Sequence, residues 1–205
     1  LDSIEQLSGL DLSYLNLFDT DAAWRLVHDI GEGPACAIIK HANPCGAATA
    51  DTVAEAYSNA FACDERSAFG GIVAFNSEVD LETVEAMEAA AQADVVIAPS
   101  YGEGVVKRLI AKRKNTRILQ AQPPAASALQ LRQLSEGFLV QQSHHFASYP
   151  DDWEVVTDRK PSASELDDAK LAWRIGSYVM SNSIVLVKDG TAWGIGAGQQ
   201  NRVEA

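Results

Sequence analysis

Residues 35–46 read A-C-A-I-I-K-H-A-N-P-C-G, an apolar run that stops on two ionisable side chains. The first five residues show no polar alternation, which is typical of a strand buried on both faces of a sheet. Lys40 and His41 follow at its end. Adjacent side chains of a regular strand point to opposite faces, so Lys40 and His41 can line one cleft only if the backbone leaves the extended path there.

The residues after His41 predict such a break in the strand. Pro44 fixes its own φ and biases Asn43 away from the helical region, while Gly46 permits conformations that are closed to other residues. Asp51 has the side chain and the position of an N-cap for a helix that follows. We therefore predict a strand, a polar turn and a helix, and ligands of open α/β sheets collect at such strand ends.

Helical and strand patterns alternate along the chain as far as Gln120. Strands that alternate with helices imply an α/β fold with a mostly parallel sheet and helices on both faces, which is a three-layer α/β/α sandwich. The predicted helices are residues 16–30, 81–92 and 104–114, and the further predicted strands are residues 72–75, 95–99 and 117–120.

The C-terminal part of the sequence predicts a helix and a β-hairpin. Ser162 and Glu165 have the spacing of a capping box, and apolar residues follow at helical intervals as far as Met180. Asp189-Gly190 separates two apolar runs, which is a strong hairpin signal. Hairpin strands are predicted at residues 183–187 and 191–195, and less regular β segments at residues 134–142 and 153–157.

The composition is that of a folded, acidic protein. With 205 residues, 47% of them hydrophobic, the chain can bury a core of its own. A net charge of -12 without any lysine-arginine tract argues against a nucleic-acid or anionic-membrane surface. No apolar run reaches transmembrane length and residues 1–30 lack the layout of a signal peptide, so we predict a soluble cytoplasmic protein. The three cysteines form no C-x-x-C pair, which predicts reduced thiols at Cys36, Cys45 and Cys63.

Lys40 and His41 are the first candidates for chemistry, although a lysine-histidine pair after a strand is also typical of a solvated strand end. The unperturbed pKa of histidine, about 6.5, suits proton transfer near neutrality. A neighbouring ammonium disfavours a second positive charge, which would leave His41 neutral and able to act as a base. Lys40 could then stabilise a developing oxyanion or donate a proton to a leaving group.

Other candidates have two interpretations each. Arg202 follows a glycine-rich tail without dinucleotide-binding spacing, and it suits a phosphate or a carboxylate. Asn182 is either a cap at a helix-to-strand junction or a ligand contact. Phe69-Gly70 is either a core ring with a spacer or a platform for a planar ligand. Asp94 either caps its strand or accepts hydrogen bonds from a substrate amine, and His144-His145 lacks partners at metal-ligand spacing.

Five motifs together resemble the transformylase domain of the bifunctional purine-biosynthesis proteins, which combine aminoimidazole carboxamide ribonucleotide (AICAR) transformylase with inosine monophosphate (IMP) cyclohydrolase. The resemblance covers nearly the whole chain in the family's order. It implies a cytidine-deaminase-like fold that is present twice in the complete domain, with residues 1–205 as the first copy. The motifs are K-H-A-N-P-C-G at residues 40–46, S-A-F-G-G at 67–71, I-A-P at 97–99, S-N-S at 181–183 and G-I-G-A-G-Q at 194–199.

The same resemblance implies a role for each matching residue. His41 would take a proton from the 5-amino group of AICAR as that group attacks the formyl carbon of 10-formyltetrahydrofolate, the co-substrate, while Lys40 stabilises the transition state. No metal is implied. Contacts to the nucleotide are implied for Asn16, Asn43, Phe69, Gly70 and Asp94. Asn182 and Arg202 would reach a nucleotide bound mainly by a partner subunit, which implies a homodimer with shared sites, and Val203 would lie next to the folate.

Two departures from the family pattern limit this expectation. The motif that grips the nucleotide phosphate should lie before residue 1, and the second half of the domain and the cyclohydrolase lie outside residues 1–205. We therefore expect this stretch alone to be inactive and the activity to belong to a longer parent chain, with measurable formyl transfer by residues 1–205 contradicting that.

Two other function classes stay open. A zinc-dependent deaminase needs a glutamate two residues after the histidine and a second cysteine three after the first, and here Asn43 and Ala48 occupy those places. A non-catalytic nucleotide-binding module is the other alternative.

Overall fold

An eight-stranded sheet forms the centre of the fold. The computed structural model describes residues 4–124, 129–142 and 152–205. The sheet has the strand order β1-β6-β5-β4-β2-β3-β10-β9. Its strands are β1 (Glu5–Ser8), β2 (Ala35–Lys40), β3 (Asn43–Thr49), β4 (Ile72–Phe75), β5 (Val95–Ala98), β6 (Arg117–Gln120), β9 (Ile184–Lys188) and β10 (Thr191–Gly196), while β7 (Leu129–Leu134) and β8 (Gly137–Gln142) form a separate hairpin.

The predicted mostly parallel sheet is correct only for part of the molecule. Strands β4, β5 and β6 are parallel to one another, as alternating strands and helices require. All the other neighbours in the sheet pair antiparallel. The sheet is therefore mixed, because two hairpins and the N-terminal strand join the parallel unit at its edges.

The helices form a layer on each face of this sheet, as predicted for an α/β/α sandwich. Ala35, Ala37 and Ile39 of β2 pack with α1 and α6, whereas Cys36 and Ile38 pack with α2, α4 and α5. This alternation explains why the run has no polar residue, since both faces of β2 are buried. The helices are α1 (Tyr14–Asp29), α2 (Val53–Cys63), α3 (Glu65–Ala68), α4 (Leu81–Ala89), α5 (Val105–Lys112) and α6 (Ala163–Gly176).

The predicted polar turn after Lys40 is wrong in its extent. Asn43, Pro44 and Gly46 lie within β3, which folds back on β2 as an antiparallel hairpin. A register shift opposite Ile38 and Ile39 accommodates the residues that had indicated a break. The following helix is capped by Thr52, whose hydroxyl accepts a hydrogen bond from the Glu55 amide at 3.1 Å, and not by Asp51.

Local signals in the C-terminal part are confirmed. The Ser162 and Glu165 side chains and amides form both halves of a capping box at the start of α6. Asp189 and Gly190 have φ values of 52° and 72°, the positive values that a two-residue type I′ hairpin turn requires. Residues 153–157 form no strand, and residues 144 and 145 lie outside the described part of the chain.

The three cysteines are free thiols, as predicted. Burial raises the pKa of Cys45 to about 12 and that of Cys63 to about 11, and it raises the pKa of Cys36 well above its usual range. The thiolate is the species that reacts with alkylating agents. We expect iodoacetamide at about pH 8 to label these thiols slowly in the native protein and rapidly after denaturation. Mass spectrometry of trypsin digests measures both rates, and fast native labelling of Cys36 would contradict the burial.

None of the helices in the described ranges is both long enough and apolar enough to cross a membrane.

Candidate active site

The hairpin turn between β2 and β3 consists of His41 and Ala42. Both residues have positive φ, 53° and 59° respectively. The carboxylate of Asp19 on α1 accepts a hydrogen bond from each of their amides, at 3.2 Å from His41 N and 2.9 Å from Ala42 N. His41 is exposed at the tip of this turn, so the turn presents the imidazole where a ligand can reach it.

Lys40 lies at the centre of a second group of candidate residues. It follows Ile38 on the same face of β2, and its ammonium donates a hydrogen bond to the carbonyl oxygen of Phe69 at 2.9 Å. A Cβ placed on Gly70 would lie 3.0 Å from Lys40 Nζ and 3.7 Å from Asp94 Oδ1. The structure therefore brings Lys40, Phe69, Gly70 and Asp94 together, although they come from three separate segments.

Two backbone hydrogen bonds fix the segments of this group relative to each other. The Gly70 amide donates to the carbonyl of Gln92 at 2.7 Å, and the Asp94 amide donates to the carbonyl of Gly71 at 2.9 Å. Gly70 has φ of 68°, a conformation that favours glycine. The Phe69 ring is 65% exposed and so is not the core ring that one interpretation allowed.

Asn43 connects the turn to the C-terminal part of the chain. Its side-chain nitrogen donates to the carbonyl of His41 at 3.2 Å, and its side-chain oxygen accepts from the backbone amide of Met180 at 3.1 Å. The carbonyl of Met180 in turn accepts from the Gly198 amide at 2.7 Å. Asn43 is thus already engaged in protein contacts next to the candidate base.

Asn182 lies close to this connection in the chain. Its side-chain nitrogen donates to the Gln199 carbonyl at 2.9 Å, and the two residues also exchange backbone hydrogen bonds. Arg202 and Val203 follow a few residues later and are exposed, Val203 to 86%. No described contact joins Arg202 or Val203 to Lys40 or His41 within the residues that the structure covers.

Asn16 performs a local structural role at the start of α1. Its side chain and amide complete a capping box with Ser13, at 3.0 Å and 3.2 Å. It lies about one helical turn before Asp19. Because Asp19 binds the hairpin loop of His41 and Ala42, the N-terminal part of α1 lies next to that loop. Sequence reasoning did not find Asp19, whose partners are more than twenty residues away. A two-residue turn without glycine could have indicated it, because such a turn needs a hydrogen-bond acceptor from another segment to hold its two amides.

Two depressions in the surface of the described residues do not contain the candidate pair. One, of about 750 Å³, is lined by residues that include Glu32, Asp51 and Asp168, and another, of about 580 Å³, lies along Trp153 and Leu166. Neither is lined by Lys40, which is half-buried, or by His41, which is exposed. Among the described residues no group of three or more histidine, cysteine, aspartate or glutamate side chains is arranged to hold a metal ion.

Comparison with known proteins identifies the family to which these motifs point. The family model described as "AICARFT/IMPCHase bienzyme" matches residues 1–205. The chain belongs to this bienzyme family. It is 48% identical over 205 residues to the "Bifunctional purine biosynthesis protein PurH" of Dinoroseobacter shibae, and 45% identical over 201 residues to the protein of the same name from Chlorobium phaeobacteroides.

The alignments with these bienzyme relatives cover 98% of this chain and 38% of each of the two relatives. The chain therefore spans well under half the length of the relatives that it matches.

Proposed function

We propose that this chain contributes the Lys40–His41 site to an enzyme that transfers a formyl group from 10-formyltetrahydrofolate to the 5-amino group of AICAR. The observation that carries the proposal is the position of the Lys40 ammonium, which donates to the Phe69 carbonyl close to Gly70, with His41 exposed on the adjoining turn. Membership of the AICARFT/IMPCHase bienzyme family supports the choice of reaction.

In the proposed reaction, His41 acts as the general base. The amine of AICAR is a weak nucleophile because its lone pair is conjugated with an imidazole that bears a carboxamide. As its nitrogen forms a bond to the formyl carbon, the imidazole of His41 accepts the proton that the nitrogen loses. The bond between the formyl carbon and N10 of the folate then breaks, and the proton passes to N10, which leaves tetrahydrofolate and formyl-AICAR.

Lys40 stabilises the charge that develops on the formyl oxygen during the attack. An ammonium already held by a neutral carbonyl needs little rearrangement to interact with an oxyanion, and such preorganised donors are the main electrostatic contribution to acyl transfer. Asp94 lies on the same side of Gly70, where a Cβ would be 3.7 Å from Asp94 Oδ1, and in this proposal its carboxylate partly balances the positive charge of Lys40.

The remaining candidate residues bind the substrates in this proposal. The exposed Phe69 ring stacks on the imidazole of the nucleotide, and Gly70 lets the ligand approach the backbone. Asp94, Asn16 and Asn43 contact the same nucleotide. Asn182 and Arg202 reach the nucleotide of a second subunit in a homodimer, and the exposed Val203 contacts the folate.

A homodimer also accounts for the open surroundings of the site, because a partner subunit would exclude water from groups that this chain leaves exposed. We propose further that the fold is the first cytidine-deaminase-like copy of a transformylase domain and that the parent protein is cytoplasmic. The parent is proposed to carry IMP cyclohydrolase activity as well, as the family description and the names of the PurH relatives suggest.

Purified complete protein tests the proposal directly. Incubation with AICAR and 10-formyltetrahydrofolate is expected to give formyl-AICAR and tetrahydrofolate in equal amounts, measured by chromatography and by absorbance. Binding of both compounds without turnover would contradict formyl transfer and favour a non-catalytic nucleotide-binding module. Stoichiometric zinc in the purified protein, together with deamination of a nucleoside, would favour the deaminase instead.

A further inference from the structure

The turn that carries His41 has an unfavourable backbone conformation. Two-residue hairpin loops of type I′ need positive φ at both positions and therefore favour sequences such as Asn-Gly. Here the two positions are His41 and Ala42, with φ of 53° and 59°, and neither is glycine. The left-handed region is disfavoured for residues with a Cβ, and such conformations persist only where the surrounding structure holds them.

Asp19 supplies the contacts that hold this conformation. Its two carboxylate oxygens accept separate hydrogen bonds from the two consecutive amides of the turn, Oδ2 from His41 and Oδ1 from Ala42. Hydrogen bonds to an ionised acceptor are stronger than those between neutral groups. A carboxylate is also the one side-chain group that accepts from two parallel donors without offering a donor in return.

The helix that carries Asp19 is itself rigidly held. Residues of α1 that follow Asp19 are buried against the sheet, including Ala23, Trp24 and Leu26 with no more than 1% of their surface exposed. The packing of α1 in the core therefore fixes the position of the Asp19 carboxylate. The two hydrogen bonds that the carboxylate accepts in turn fix the position of the hairpin loop.

We infer that Asp19 is a positioning residue for the reaction proposed above, and that it fixes the direction in which His41 presents its imidazole. The inference rests on the proposed function. Asp19 needs no contact with substrate for this role, because it acts through the backbone of the turn. Without its carboxylate, Ala42 is free to return to a more favourable φ, and the imidazole moves with it.

The test is formyl transfer by the complete protein with variants of Asp19 and of the turn. Asp19→Ala removes both acceptors and is expected to lower kcat about 100-fold, the effect of a small displacement of a catalytic group, with KM for AICAR within about twofold. Asp19→Asn keeps one acceptor and is expected to lower kcat about tenfold. Ala42→Gly, added to Asp19→Ala, is expected to restore about tenfold, because glycine adopts positive φ without cost.

The matched control is Asp21→Asn on the same helix. Asp21 forms an ion pair with Arg25 at 2.9 Å and makes no described contact with the turn. This variant loses the same charge and is expected to keep wild-type kcat. Circular dichroism of each variant separates misfolding from misplacement.

The outcomes distinguish this inference from the function on which it rests. A folded Asp19→Ala protein with kcat within about threefold of wild type, or a loss that Ala42→Gly does not restore, would overturn the positioning role. If Asp19→Ala does not fold, the same comparison of kcat is made for Asp19→Asn with and without Ala42→Gly. A kcat near that of wild type, or a loss that Ala42→Gly does not restore, overturns the positioning role there too. Unchanged turnover after loss of His41 would instead refute the proposed function itself.

Discussion

Replacing His41 by alanine in the complete protein is expected to lower kcat for formyl transfer by about 10²–10⁴-fold, the usual contribution of a positioned general base. The dissociation constant of AICAR is expected to stay near that of the wild type, because the proposed nucleotide contacts are made by residues other than His41. Stopped-time chromatography of formyl-AICAR gives the rate, and isothermal titration calorimetry gives the affinity. The difference between the two measurements identifies a role in chemistry.

Two further observations separate a base from a simple contact. His41→Gln keeps a hydrogen-bonding group of similar size but cannot take up a proton, so it is expected to be as slow as His41→Ala. Because His41 is exposed on its turn, free imidazole can approach the position of the missing ring and is expected to restore part of the rate. Near-normal turnover by His41→Gln would rule out proton abstraction by this residue.

Much of the fold could be predicted from the sequence wherever the signal was local. The strands at Ile72–Phe75, Val95–Ala98 and Arg117–Gln120 are found within one residue of the predicted positions. The capping box at Ser162 and the Asp189-Gly190 turn were also correct, since capping and turn chemistry depend on neighbours in sequence.

The structure of residues 43–49 could not be predicted in this way. Pro44 was interpreted as a break, but proline is tolerated in a strand where its missing N–H has no partner. The pairing of β3 with β10 is at Ala48, beyond Pro44, so Pro44 lies where β3 has a strand neighbour on one side. Only the position of β10, far away in sequence, makes this clear.

The candidate site shows the same division. The chemical types of Lys40 and His41 could be found in sequence, and the family resemblance pointed to Phe69, Gly70 and Asp94. Asp19 was not found, because its role depends on where α1 crosses the end of β2. A hydrogen bond between a helix and a turn has no sequence signature of its own unless the turn conformation is known.

Gly46→Ala is expected to destabilise the fold strongly, because a Cβ at Gly46 makes the shortest approach to another atom among the described glycines. A Cβ on Gly46 would lie 1.9 Å from the carbonyl oxygen of Ala60 and 2.9 Å from its carbonyl carbon, so β3 and α2 would have to move apart. Overpacking against backbone is more costly than against a flexible side chain, and we expect a loss of about 3 kcal/mol or more. For a unit of this size that corresponds to a fall in melting temperature of about 6–12 °C.

Gly137→Ala is the matched control, because a Cβ at Gly137 in β8 would have no atom within 4 Å. It adds the same methyl group to a strand and is expected to leave the melting temperature of the complete protein unchanged. Hydrogen exchange locates the effect, since Gly46→Ala should lower protection in α2, which packs on β3, before it affects the parallel strands. If Gly46→Ala melts within about 2 °C of the wild type, the close approach of β3 to α2 is wrong, and with it the path by which β3 brings Asn43 to the His41 turn.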